Sequence, residues 1–172
     1  MDAAVEQILN RLQSGDFDAR LAAARELAQT SPTPPAAAGG LAEALEAEPD
    51  DRLTPWVEAA LEQLADPAVD QVDRLIQVLE RFRTEGKYSE AAYWTVRLLG
   101  RMGPGAVAAV PSLTALLDRA EHPNLQANAA WALGKIGAAA RPAIPHLTRI
   151  ARSASPPRLI KSAETAISEI GR

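Results

Sequence analysis

The feature that most constrains this chain is a repeat. The stretch "NAAWALGKIG" at 128 to 137 has a counterpart in "WTVRLLGRMG" at 94 to 103, and its last nine residues have another in "AETAISEIG" at 163 to 171. The residues at one register position are Leu27, Leu61, Leu99, Leu133 and Ile167, at intervals of 34, 38, 34 and 34. A unit of this length is one supersecondary element that cannot bury its apolar face alone, so the units must stack on one another. The 38-residue interval has a local cause: "ERFRTEGKYS", following Leu79, is four residues longer than the equivalent "DRAEHP", which places the extra length in a loop containing Gly86.

Each unit reads as two helices. The first type carries Val72, Leu75, Val78 and Leu79, then Val110, Leu113, Leu116 and Leu117, then Ile144, Leu147, Ile150 and Ala151. This 3-3-1 spacing draws a single apolar stripe along a helix. The second type carries Leu125, Ala129, Ala132, Leu133 and Ile136, again on one face, with small residues that allow close helix approach. Breaks fall at "SPTPP" (31 to 35), "EPDD" (48 to 51), "DP" (66 and 67), "GPG" (103 to 105) and "SPP" (155 to 157). The composition agrees, since 47% of the 172 residues are hydrophobic but only 4% aromatic, so Ala, Leu, Ile and Val carry the core. The expected fold is all-α, a right-handed α-solenoid of about five helical pairs in one domain spanning 1–172. The pairs fall near 1–31, 32–66, 67–103, 104–137 and 138–172.

Glycines mark the ends of the second helices. Gly103, Gly137 and Gly171 follow the last apolar residue, where a residue able to take positive φ satisfies the final carbonyls. Gly100 and Gly134 lie a turn earlier, where close helix approach is the reason for them. At the chain's start, Glu6, Gln7, Asn10 and Gln13 lie outside the stripe of Val5, Ile8, Leu9 and Leu12; the last helix is likewise more polar, with Glu164, Thr165, Ser168 and Glu169. Both ends read as caps, and the expectation is a monomer.

Several function classes recede on the same grounds. A formal net charge of −4 removes the usual footprint of a nucleic-acid binder. Without cysteine there is no disulfide, thiolate nucleophile or Cys-based zinc site. His122 in "EHPN" and His146 after Pro145 belong to no nucleophile or metal-ligand set, and both read as surface residues. "SGD" at 14 to 16 and "GPG" are turn signals without the Lys-Ser/Thr ending of a phosphate loop, and "EAEPDD" at 46 to 51 is a solvated turn or cap. No catalytic residue, metal or cofactor is expected. The start "MDAAVEQILNRLQ" lacks the basic, apolar layout of a signal peptide, and no run reaches the about 18 apolar residues of a membrane span, so a soluble cytoplasmic protein is expected.

The run "GPGAVAAVPSLTALLDRAEHPNLQANAAWALGKIGAAARPAIPHLTRI" resembles the HEAT-like repeat, in particular the short bacterial variety also found in phycobilisome lyase subunits. The likeness is strongest over 104 to 171, with an "AIPxL"-type first helix and a second helix ending in the manner of "AALGxIG". "DFDARLAAARELA" at 16 to 28 resembles the family's Asp-x-x-x-Arg start of a second helix and puts Arg20 at the Arg position; Thr54, Ala92, Gln126 and Ile160 stand there in the other units. The resemblance implies a solenoid whose second helices line a concave surface, and no particular activity.

Repeat register samples each surface position five times. The columns Gln29/Gln63/Arg101/Lys135/Glu169, Arg25/Ala59/Arg97/Trp131/Thr165 and Ala22/Trp56/Trp94/Asn128/Ser162 are polar or mixed, and spacings of 3 and 4 set them on one stripe of the second helix. That stripe is the candidate binding face. It carries Trp56, Trp94, Arg97, Arg101, Trp131 and Lys135, with Tyr93 beside it, the residue types most often found at binding hot spots. Trp94, Arg97 and Trp131 are expected to form one patch, with both Trp rings accessible to solvent, and Lys87 and Tyr88 of the insertion offer a second contact. The expected function is a non-enzymatic scaffold that binds a protein or peptide. The alternatives are a DNA-binding or DNA-glycosylase-like HEAT protein, which the negative charge disfavours, and a bilin lyase subunit-like protein.

Overall fold

In the computed structural model, residues 3–47, 50–85, 90–119, 122–153 and 156–172 are described. Five antiparallel helical pairs follow one another: α1 (Ala3–Ser14) with α2 (Phe17–Gln29), α3 (Ala38–Ala47) with α4 (Thr54–Glu62), α5 (Val72–Glu85) with α6 (Glu90–Met102), α7 (Val110–Leu116) with α8 (Pro123–Ile136), and α9 (Ile144–Ala151) with α10 (Pro157–Ile170). Short 3₁₀ turns at 35–37, 69–71, 103–109 and 137–143 lead into the first helix of pairs two to five. The fold is an all-α solenoid.

The sequence explains these limits locally. Asp16 caps α2 by accepting a hydrogen bond from the Ala19 N–H at 2.9 Å. Proline stands within the first two positions of α4, α7, α8, α9 and α10, where its missing N–H costs nothing. Gly137 closes α8 at φ +77° with its N–H directed to the Leu133 and Gly134 carbonyls, and Gly103 takes φ +54°. Gly171 departs from the expectation: its φ is −80°, so α10 ends without a left-handed residue.

The core is the stacked apolar stripes. Leu27, Leu61, Leu99 and Leu133 are fully buried, as are Leu75, Leu113 and Leu147 of the first helices; Ile167, in the last pair, is only half-buried. The 38-residue repeat is longer partly because α5 continues to Glu85, which buries Phe82 beneath the guanidinium of Arg119, 5.5 Å from the ring centroid. Some of the extra length is therefore helix instead of loop. Lys87 and Tyr88 lie outside the described residues.

The two layers are held differently. Polar side chains join the first helices from α3 onward, α3 to α5, α5 to α7 and α7 to α9. Arg74 of α5 grips Glu43 of α3 in a bidentate pair at 2.7 and 2.6 Å, and Arg81 reaches Glu46 at 2.7 Å. Ser112 of α7 donates to Glu80 of α5 at 2.7 Å, and His146 and Arg149 of α9 both contact Asp118, at the end of α7. The Arg83 guanidinium, and after it the Ser112 hydroxyl, hold the Glu80 carboxyl below its ordinary pKa against the opposing effect of burial. At Asp118 burial pushes upward, and the hydrogen bonds from His146 and Arg149 more than offset it.

In the second layer α2 lies on α4, α6 on α8, and α8 on α10, while α6 settles against α3 and stays farther from α4. Side chains span that wider gap: Trp94 Nε1 donates to Glu58 at 3.2 Å, and Arg101 donates to the Leu64 carbonyl at 2.5 Å. Among the described residues of the second layer, the break in close stacking lies between α4 and α6.

Candidate functional site

The outward stripe of the second helices is built by register. Of the fifteen positions in its three columns, only Trp94 is buried; the others are exposed or half-buried.

Within the stripe the expected residues do different work. Trp94 is 9% exposed, which corrects the expectation that its ring is open to solvent. It fills the gap left between α4 and α6, its indole N–H satisfied by Glu58 and its ring edge-on to Tyr93 at 5.8 Å. Trp131 is half-buried: it lies against Gly100, where an added Cβ would meet ring atoms Cε3 and Cη2 at 2.8 and 2.9 Å. Gly134 admits α10 in the same way, with a Cβ there only 3.1 Å from the Ala166 Cα. Close approach thus accounts for both inner glycines. Trp56 is half-buried and partnered by Arg25, 5.3 Å above its ring.

The cations also divide. Arg101 is turned inward onto the Leu64 carbonyl, with Asp66 at 3.7 Å, and Lys135 pairs with Glu169 one repeat on at 2.8 Å. Arg97 is exposed; it donates to the Tyr93 hydroxyl at 2.8 Å and lies 5.5 Å from the Tyr93 and Trp94 ring centroids. No ion pair holds it among the described residues.

Three clefts run in sequence along the stripe. The largest, about 330 Å³, lies between α4 and α6 with Trp94, Tyr93, Arg97 and Arg101 on its α6 side and Glu62 on its α4 side. The next, about 230 Å³, is lined by Arg97, Ala127, Asn128, Trp131, Arg158 and Ser162. The third, also about 230 Å³, lies between Trp131 and α10, where Arg158, Lys161, Thr165 and Ala166 face it. Arg97 is common to the first two clefts, and Trp131 and Arg158 to the last two. The structure therefore brings Trp94, Arg97 and Trp131 along one groove, and leaves Trp56 outside the lining of all three clefts.

Sequence reasoning missed Arg158 and Lys161. The polar cap of the last helix rests on Glu164, Thr165, Ser168 and Glu169, whereas Arg158 stands one turn before Ser162 of the Asn128 column. The two histidines are also more engaged than expected. The His122 ring lies 5.9 Å from that of Phe82, and His146 Nδ1 is 3.1 Å from Asp118. Among the described residues no three His, Asp or Glu side chains gather as a metal site, and no helix is long and apolar enough to cross a membrane.

Comparisons place this architecture. No curated protein matches. Among solved structures, the designed armadillo repeat protein YIII(Dq)4CqI is 17% identical, with 96% of this chain and 99% of that chain covered and a TM-score of 0.35. The family model for HEAT repeats matches residues 72–168, more than half of the chain, and includes the helical pairs that carry most of the groove. The chain belongs to the HEAT repeat family.

Proposed function

We propose that this protein is a non-enzymatic scaffold that binds a protein or peptide along the outward face of its second helices. The observation that carries this reading is the row of three neighbouring clefts from α4 to α10, in which an exposed Arg97 and a half-buried Trp131 sit on helices fixed by their neighbours. Rigid helices lose little entropy when a partner docks, so contacts made by these side chains translate efficiently into affinity. Aromatic and Arg groups couple a large contact area to a polar tip, which suits them to this role. The chain is read as a monomer acting in the cytoplasm.

Affinity capture compares the wild type with Arg97→Glu/Trp131→Ala, after both are shown to melt cooperatively. A partner retained by the first and weakened at least about tenfold on the second is the expected result, the size typical of losing a hot-spot pair. Equal capture by both would remove the groove from binding and return Trp131 to a packing role.

A further inference from the structure

The middle cleft has a chemistry of its own. Its polar lining consists of the Arg97 and Arg158 guanidiniums, the Asn128 amide and the Ser162 hydroxyl, and no carboxylate lines it. Arg158 is exposed, and neither arginine has an ion pair among the described residues. In the first layer, by contrast, Arg74, Arg81 and Arg149 each meet a carboxylate of the neighbouring pair. Asn128 Nδ2 is itself buried and has no hydrogen-bond partner among the described residues. That donor has no surface open to the cleft, so the polar groups a ligand can reach there are the two guanidiniums and the Ser162 hydroxyl.

A cleft rich in donors and holding two unneutralised guanidiniums selects an oxyanion, because Arg pairs with planar carboxylates through parallel charge-assisted hydrogen bonds. Its volume of about 230 Å³ lies below the ~300–1,000 Å³ usual for cofactor and metabolite sites, which fits a single side chain better than a free small molecule. The flanking clefts set Glu62 beside Arg97 and Arg101 on one side and the Lys135-paired Glu169 beside Arg158 and Lys161 on the other, so an acidic side chain is met by cations along the groove, while the net charge of −4 of the whole chain disfavours a long polyanionic phosphate backbone. Beside the anion site, the half-buried ring of Trp131 offers apolar surface for a neighbouring residue.

From these features we infer that the partner docks through an acidic peptide segment, with an Asp or Glu carboxylate held between Arg97 and Arg158 and an aliphatic residue beside Trp131. This inference rests on the scaffold reading and specifies the chemistry of its partner.

The test is selection from a random peptide library displayed on phage, using the full chain and two variants, Arg97→Glu/Arg158→Glu and the milder Arg97→Gln/Arg158→Gln. Melting curves first establish that each variant is folded. The expected result is enrichment of Asp- and Glu-containing peptides on the wild type. Affinity for a synthetic copy of one such peptide should fall about tenfold or more on both variants, and when its acidic residue becomes Gln. Enriched peptides without acidic residues, or acidic ones that bind the charge-reversed variant equally, would overturn the inference and leave the scaffold reading standing. Failure to enrich any peptide would overturn the inference and leave the scaffold reading to stand or fall on the capture experiment. Tight, salt-dependent binding of duplex DNA that is lost on charge reversal would overturn the peptide assignment in favour of nucleic acid.

Discussion

Replacing Leu99 with Ala is expected to lower the free energy of unfolding by about 2–5 kcal/mol, the range for deleting a fully buried Leu without collapse of the surrounding site. Leu99 is 0% exposed and sits on α6, the helix that contacts α3, α5 and α8. A cavity there weakens the third pair and its interfaces with the second and fourth. In a repeat protein, stability is nearly a sum of unit and nearest-neighbour terms. Damage at the centre therefore also uncouples the two ends, and the denaturation curve should broaden or split. Urea unfolding followed by circular dichroism reads both effects. A loss under about 1 kcal/mol with an unchanged slope would mean that α6 is not the hub of the stack.

Gly100→Ala is expected to destabilise the protein despite adding a better helix former. At an open helical position the change would contribute about 1 kcal/mol of stability. Here the new methyl collides with the Trp131 ring, already 2.8 and 2.9 Å away at Cε3 and Cη2. Overpacking of this kind costs about 1–3 kcal/mol, so the net sign should be unfavourable. The ring must move outward. In a Trp56→Phe/Trp94→Phe background, Trp131 emission should shift to the red and become more accessible to acrylamide. Unchanged stability and emission would show that the ring does not rest on Gly100 in solution.

The Leu99 register made the helical pairs legible because a solenoid reuses one local solution. The 3-3-1 stripes of α5, α7 and α9 and the Ala-rich face of α8 correspond closely to the buried positions found. Column reasoning also contained more than was drawn from it: Lys135 and Glu169 occupy the same position in adjacent repeats, so their ion pair follows from register and opposite charge. Trp94 was misplaced for a physical reason. A column average assumes equal spacing between repeats, and the wider separation of α4 from α6 leaves space that the Trp94 ring fills. Arg101 is drawn inward across the same gap. No single-helix pattern carries information about that spacing. Gln126 stands where the family's Arg was expected, is 6% exposed, and donates to the Leu117 carbonyl at 2.8 Å, tying α8 to the end of α7.

The central claim is that partners meet the second-helix face. Its most direct test is site-specific photo-crosslinking in cells, with a benzophenone amino acid placed at exposed Thr165 on α10 or at exposed Gln77 on α5. Thr165 lines the groove, whereas Gln77 belongs to the first-helix layer. A discrete crosslinked species from position 165 and none from position 77 is the predicted result. A partner captured from position 77 alone would contradict it and place binding on the opposite face.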